Sequence, residues 1–327
     1  MKFKTFKGLL AAVALAVPLS LIATGAQAQT KLKWAHVYET SEPYHKWSVW
    51  AAEEIKKRSN GKFDITVFPA SSLGKETDIN QGMLLGTVDM IISGPSFAAR
   101  SYPRLGIAYY PFIFRDGEHM LAYSKSDIFK EISDGFRAQT GIQITAYTYY
   151  GARHTTSNKE FKDCAGMKGL KIRVPDVPAY TATPRACGAN PTPIAFAEVY
   201  LALQNGTVDA QENPLTTIEA KKFYEVQKNI ILTGHIVDSL ATQVAPHVWN
   251  KLSDADKKVF EEVLKQAAAK ATEEIVGIEK NLGAEFEKRG KTVVKVDRKP
   301  FREATMKLHN GPDATWPKEI YDRLQAL

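Results

Sequence analysis

Two arginines carry the most specific chemistry in this sequence. Arg153 lies in the run Gly151-Ala152-Arg153-His154-Thr155-Thr156-Ser157-Asn158-Lys159, and Arg173 in Lys171-Ile172-Arg173-Val174-Pro175-Asp176. Ile172 and Val174 alternate with Arg173. A strand here turns both aliphatic side chains to a core and the guanidinium to the other face, and Pro175 ends it. An arginine fixed on a strand presents a planar fork, and two parallel charge-assisted hydrogen bonds from that fork match a carboxylate. The chemistry on offer is recognition of an organic anion. The alternative for either arginine is a structural ion pair or a solvated charge.

Catalytic patterns are missing from the sequence. It has no phosphate-binding glycine-Lys-Ser/Thr loop, no G-x-S-x-G elbow, no H-E-x-x-H and no G-x-G-x-x-G after a strand. The seven histidines are scattered without ligand spacing. His36 is singled out because it ends a first strand that should point at a cleft. Asp209 and Glu212 are close in sequence, but a carboxylate pair at a strand-to-loop junction is weak evidence for acid–base work. These absences favour binding over catalysis. The rival class is a secreted enzyme acting on an acidic sugar, which needs a positioned acid and base. No cofactor or metal site is expected.

The elements that position these residues follow from hydrophobic spacing and punctuation. Strands are expected at 32–37, 63–68 and 87–93, with helices at 41–60 and 77–85 between them. This alternation predicts a mostly parallel sheet covered by helices. The pattern resumes with strands at 170–174 and 207–212 and helices at 178–188 and 196–204. One echo links the two stretches: Leu85-Gly86-Thr87-Val88-Asp89 is matched by Gly206-Thr207-Val208-Asp209, 120 residues on. In both, a helix ends at glycine, which accepts the left-handed conformation that closes a helix. At the same offset Ser93 corresponds to Asn213, each after a strand's C-terminal end, where open α/β sheets bind ligands. Two facing lobes with a cleft are the simplest reading. A long helix is expected from Ser253, where Ser253-x-x-Asp256 resembles a capping box, to about Arg289. It outreaches one lobe and should cross both, unless it breaks near Gly277 or Gly283.

The chain has 327 residues, which suits two domains. Residues 1–28 read as a secretory signal peptide: Lys2, Lys4 and Lys7, then an apolar stretch, then Ala26-Gln27-Ala28 at the cleavage site. The mature protein should therefore lie outside the cytoplasm, begin at Gln29 and not span a membrane. Loss of those three lysines leaves a mild basic excess, and no clustered Lys/Arg with interleaved aromatics points to nucleic acid. Cys164 and Cys187 then face an oxidising compartment. They either pair or leave Cys187 as a buried thiol on a helix face.

The stretch from 150 to 230 resembles the DctP family, the extracytoplasmic solute receptors of TRAP (tripartite ATP-independent periplasmic) transporters. The resemblance rests on the two arginine runs, on Gly188-Ala189-Asn190-Pro191-Thr192-Pro193-Ile194-Ala195-Phe196-Ala197-Glu198-Val199-Tyr200, and on Val208-Asp209-Ala210-Gln211-Glu212-Asn213-Pro214. Lys222 to Lys228 and Ser72-Leu73-Gly74 extend it. It implies an α/β fold of two lobes with a hinge, a ligand cleft and a long helix spanning both. The lobes are expected at 29–150 with about 239–278, and 151–238 with about 279–327. It implies no catalysis, capture of a small anionic organic acid, and delivery to membrane permease subunits. The family's carboxylate-clamping arginine falls on Arg173, a second arginine of sialic-acid-type members on Arg153, an asparagine on Asn213 and an aromatic on Phe196. Glu76 stands where some members meet ligand hydroxyls. Ser93 replaces a glutamate and Asp176 an asparagine of sialic-acid receptors, which points away from sialic acid towards a sugar acid such as a uronate. C4-dicarboxylates and aromatic acids are the other ligand readings. Asp176 is either a hydroxyl acceptor or a loop cap, and Tyr38 and Tyr150 either line the site or pack in the core.

Overall fold

The computed structural model describes residue 1, residues 29–309, residue 311 and residues 314–327. The expected leader and its cleavage site lie outside the described residues. Among the described residues no helix is long and apolar enough to cross a membrane.

The first unit forms as its spacing requires. Strand β1 (Thr30–Ala35) is followed by helix α1 (Pro43–Arg58), strand β2 (Phe63–Phe68), helix α2 (Glu76–Leu85) and strand β3 (Met90–Ser93). Helix α1 is shorter than expected at both ends. Pro43, which has no amide hydrogen to leave unpaired, takes its first turn, and the chain reverses through Gly61 at φ +80°. Tyr44, Ala51 and Ile55 form its buried stripe. The expected strand at 87–93 loses its first three residues to a helix-closing turn.

That turn repeats. Gly86 and Gly206 are both left-handed, at φ +75° and +69°. The amides of Thr87 and Val88 donate to Gly82 O, and those of Thr207 and Val208 donate to Ala202 O. Asp89 accepts from the Lys33 amide and Asp209 from the Lys171 amide, so each aspartate ties its turn to a neighbouring strand. The four-residue echo is thus a structural repeat: each copy closes a helix and launches a strand whose far end meets the same cavity.

The sheet is mixed rather than mostly parallel. Strands β4 (Gln143–Ser157) and β8 (Asn229–Val244) are long and pair antiparallel along nearly their whole length. They carry β5 (Lys171–Val174), β6 (Asn190–Pro193), β7 (Ala210–Pro214) and β9 (Thr292–Lys295) into one sheet of order β2-β1-β3-β8-β4-β7-β5-β6, with β9 on β8. The pairs β1–β2, β1–β3, β5–β6 and β5–β7 are parallel. The β4–β8 ladder slips register between Ile144 and Ala146, Tyr149 and Gly151, and Arg153 and Thr155. At the middle slip Gly151 has φ +120°, and a Cβ there would lie 2.5 Å from Glu279 Oε1 and 2.8 Å from Pro214 Cβ. Glycine is therefore required by both conformation and space.

The long helix (Asp254–Lys288) is continuous over 35 residues, about 52 Å. Its capping box forms as read: the Asp256 amide donates to Ser253 Oγ. It does not break at Gly277 or Gly283, and no neighbouring atom lies within 4 Å of a Cβ built at either. Phe260, Val263, Ala267 and Ala271 bury one stripe, and Glu279 accepts from the Ala152 amide of β4 at 3.1 Å and from the Tyr149 hydroxyl at 2.9 Å. Cys164 and Cys187 are joined as a disulfide.

Candidate functional site

A cavity of about 360 Å³ opens where the ends of β1, β3, β5 and β7 converge, a size usual for a small-molecule site. Strand β5 supplies Arg173 as alternation requires: Ile172 and Val174 are buried in apolar clusters and the guanidinium turns to the cavity. Its Nε and Nη2 both donate to one acceptor, Ile194 O, at 2.9 and 2.7 Å. Nη1 is buried and has no hydrogen-bond partner in the protein, and Arg173 makes no ion pair among the described residues. Three of its five N–H groups are thus left over, two of them side by side on the Nη1–Nη2 edge. Burial lowers its pKa to about 10, and the field of Glu212 only partly restores it. This cation lacks a counter-ion and faces a cavity.

Arg153 lines the same cavity in a different state. Nε pairs with Glu212 Oε2 at 2.5 Å and Nη1 with Asp238 Oδ2 at 2.8 Å. Nη2 donates to Glu212 Oε1 and O and to Asn213 Oδ1. All three residues of this pairing are essentially inaccessible to water. Burial would lower the Arg153 pKa, but the Glu212 and Asp238 charges outweigh it and hold it well above the ordinary value. Its guanidinium has at most one N–H left over. Tyr180 stacks over it, with its ring centroid 4.8 Å from Cζ.

The remaining expected residues divide in two groups. Asn213, Phe196, Tyr38, Tyr150, Glu76 and Asp176 all line the cavity. Asn213 holds its amide by donating to Gln211 Oε1, which leaves one N–H free. Phe196 lies 6.0 Å from the Arg173 guanidinium. Tyr38 and Tyr150 stack edge to face against each other. Asp176 is tied to Arg100 across the mouth at 2.9 Å. Ser93 and His36 stand behind the wall. Ser93 Oγ accepts from Asn80 and donates to Glu76 Oε1 at 2.8 Å. The amide of Gly94 donates to the same oxygen at 3.0 Å. Burial raises the Glu76 carboxyl to about 7. His36 accepts from the Tyr38 amide and contacts His45, and burial holds its pKa at about 3.

Sequence reasoning missed Phe97, Tyr109, Tyr180 and Leu240 on the cavity wall. Tyr180 read as part of a helix's apolar face, yet it follows the C-terminal end of β5, where ligands bind in open sheets. That position was the available signal. Among the described residues no cluster of three or more His, Cys, Asp or Glu is arranged to hold a metal ion. The cavity offers a fork for an anion, neutralised charge beside it, and acceptors and aromatic faces opposite. It suits binding without transformation.

Known proteins carry the same arrangement of elements. The chain is 36% identical over 306 residues to the solute-binding protein RD1_1052 of Roseobacter denitrificans, covering 92% of each. A crystal structure of a TRAP periplasmic solute-binding protein of that name, with bound L-galactonate, superposes with a TM-score of 0.85 over 91% of this chain and 98% of that one, at 31% identity. The sialic acid-binding periplasmic protein SiaP of Vibrio cholerae is 31% identical over 305 residues, covering 93% of this chain and 95% of SiaP. A TRAP periplasmic solute-binding protein of Polaromonas sp. JS666, bound to D-erythronate, has a TM-score of 0.87 at 31% identity, covering 91% and 99%. These structures share the two-lobed α/β fold. The family described as bacterial extracellular solute-binding protein, family 7, matches residues 34–312, and the chain belongs to it: a DctP-family solute-binding protein, not an enzyme.

Proposed function

We propose that this protein is the periplasmic receptor of a TRAP transporter and captures a sugar acid, an aldonate or uronate, by its carboxylate. The observation that carries this reading is the Arg173 edge, buried and without a partner on the cavity side. A ligand carboxylate accepts from Nη1 and Nη2 together. Asn213 and the remaining Arg153 N–H reach a further oxygen, and Glu76 accepts from ligand hydroxyls. Tyr38, Tyr150 and Phe196 pack against the carbon chain. Ser93 and His36 act at one remove, by orienting Glu76 and Tyr38. Asp176 closes the mouth with Arg100. The ligands named for the related structures, L-galactonate and D-erythronate, are polyhydroxylated monocarboxylates and support this class.

The lobes divide at 150/151 and 238/239, inside β4 and β8, and close over the solute in the manner of periplasmic binding proteins. Closure presents the loaded receptor to the membrane permease subunits. Export after cleavage at Ala28 places the mature chain in the periplasm. A thermal-shift screen of the mature chain against aldonates, uronates, sialic acid, C4-dicarboxylates and aromatic acids tests the class, because a tight ligand raises the melting point by mass action. A shift with sugar acids that vanishes in Arg173→Ala supports it. A shift only with aromatic acids or C4-dicarboxylates overturns it.

A further inference from the structure

The charged groups around the cavity fall into a balance that limits what it takes. Arg153 is paired with both Glu212 and Asp238, two carboxylates on one cation, and the Glu212 field reaches Arg173 without an ion pair. At the mouth, Lys75 meets Glu198 at 3.3 Å and Arg100 meets Asp176 at 2.9 Å. Arg173 is the cavity-lining cation with no ion-pair partner among the described residues, and its free edge takes a single ligand carboxylate.

The opposite wall holds a second asymmetry. Glu76 projects from the start of α2, held by Ser93 and Gly94 at the end of β3. In the sheet order β3-β8-β4-β7-β5, that strand and the strand of Arg173 flank the cavity from opposite sides, and the Arg173 charge is near enough to act on the Glu76 carboxyl. The two side chains make no ion pair. Both protein hydrogen bonds to the Glu76 carboxyl go to Oε1, and the structure pairs Oε2 with no donor. A sugar acid anchored at Arg173 therefore extends its hydroxylated end towards an acceptor, not a donor.

We propose that Glu76 makes the site selective for monocarboxylates: it accepts from a terminal hydroxyl and excludes the corresponding dicarboxylic acid, whose second carboxylate would meet it. This inference rests on the sugar-acid reading above and narrows it. The second carboxylate either meets the Glu76 charge or forces a proton onto it, and above the Glu76 pKa each further pH unit makes that proton about tenfold harder to take up.

Galactarate is a suitable probe, because oxidation of the terminal CH₂OH of either D- or L-galactonate gives that same aldarate. Calorimetry at about pH 8, above the value near 7 of the Glu76 carboxyl, is run with D-galactonate, L-galactonate and galactarate. The expected result is that galactarate binds about tenfold more weakly than the tighter galactonate, the limit set at this pH by Glu76 taking up a proton. In Glu76→Gln, Oε1 keeps its two donors and an NH₂ replaces the free oxygen, and the galactonate-to-galactarate ratio should fall to about parity. Parity of galactarate and galactonate on the unmodified protein overturns the inference while leaving the sugar-acid reading intact. So does an unchanged ratio in a Glu76→Gln variant that melts cooperatively. If galactarate and both galactonates all fail to bind, the sugar-acid reading has failed for this chain length and the inference falls with it. The ratio on the unmodified protein stands as a test even if the variant does not fold.

Discussion

Arg173 hangs from a single carbonyl, Ile194 O, by two of its nitrogens, and the edge facing away from that carbonyl has no protein partner. The contact fixes the plane of the guanidinium before any ligand arrives, so a carboxylate meets a preset fork. Truncation to Ala should weaken sugar-acid binding by about 2–5 kcal/mol, and Arg173→Lys should recover only part of this because the ammonium lacks the fork. Calorimetric affinities within threefold of the unmodified protein for both variants would refute the role.

The two arginines should have opposite effects on the free protein. Arg153→Ala leaves Glu212 and Asp238 buried without a cation, and should cost about 3–5 kcal/mol in denaturant unfolding. Arg173→Met removes a buried cation that has no counter-ion, and should raise the melting point of the free protein while abolishing the ligand-induced rise. A fall in melting point for Arg173→Met would mean that this cation is balanced in the fold after all.

Glu76 makes stability depend on pH with a definite sign. Its folded pKa, about 7, lies above the ordinary 4.5, so the folded chain holds a proton that the unfolded chain gives up. Its contribution is complete below about 4.5 and is lost as pH rises through 7. Glu76→Gln has no such titration. The stability of the variant relative to the unmodified protein should therefore grow between about pH 5 and pH 8, by about 1–3 kcal/mol, and level off above. Urea unfolding of both proteins across that range checks it. A constant gap would show that Glu76 titrates alike in both states.

The Arg100–Asp176 pair at the mouth is half exposed and contributes weakly to stability. Its effect should fall on release. Arg100→Ala should speed ligand dissociation by roughly twofold to fivefold in stopped flow, and added salt should narrow the difference. Equal off-rates at low salt would leave the pair without a part in closure.

The Cys164–Cys187 disulfide closes a loop that carries Arg173, Asp176 and Tyr180, but neither cysteine lines the cavity. Replacing both cysteines by Ser should lower stability by about 3 kcal/mol through the unfolded chain, with ligand affinity retained. A large loss of affinity at unchanged stability would contradict that separation.

Much of the first unit and of the site wall was legible because it follows from local patterns. The 120-residue echo located both helix-closing turns, and strand alternation aimed Arg173. The long strands were not legible. Residues 143–157 and 229–244 are buried on both faces, so Tyr, Thr and aliphatic residues follow one another without the period-two contrast that marks a half-exposed strand. The state of Arg153 was hidden for a related reason. Its partners Glu212 and Asp238 lie 59 and 85 residues away, and only the pairing of β4 with β7 and β8 brings them to it.

With the lobes divided as proposed, the chain passes between them at 150/151, 238/239 and about 278/279, and each passage lies inside a strand or a helix. No slack tether connects the halves. Opening must then twist a two-stranded ribbon and bow a rod laid across it, so the motion is sprung rather than free-swinging. Proteases that cut floppy joints should clip surface turns within one half and leave the halves attached.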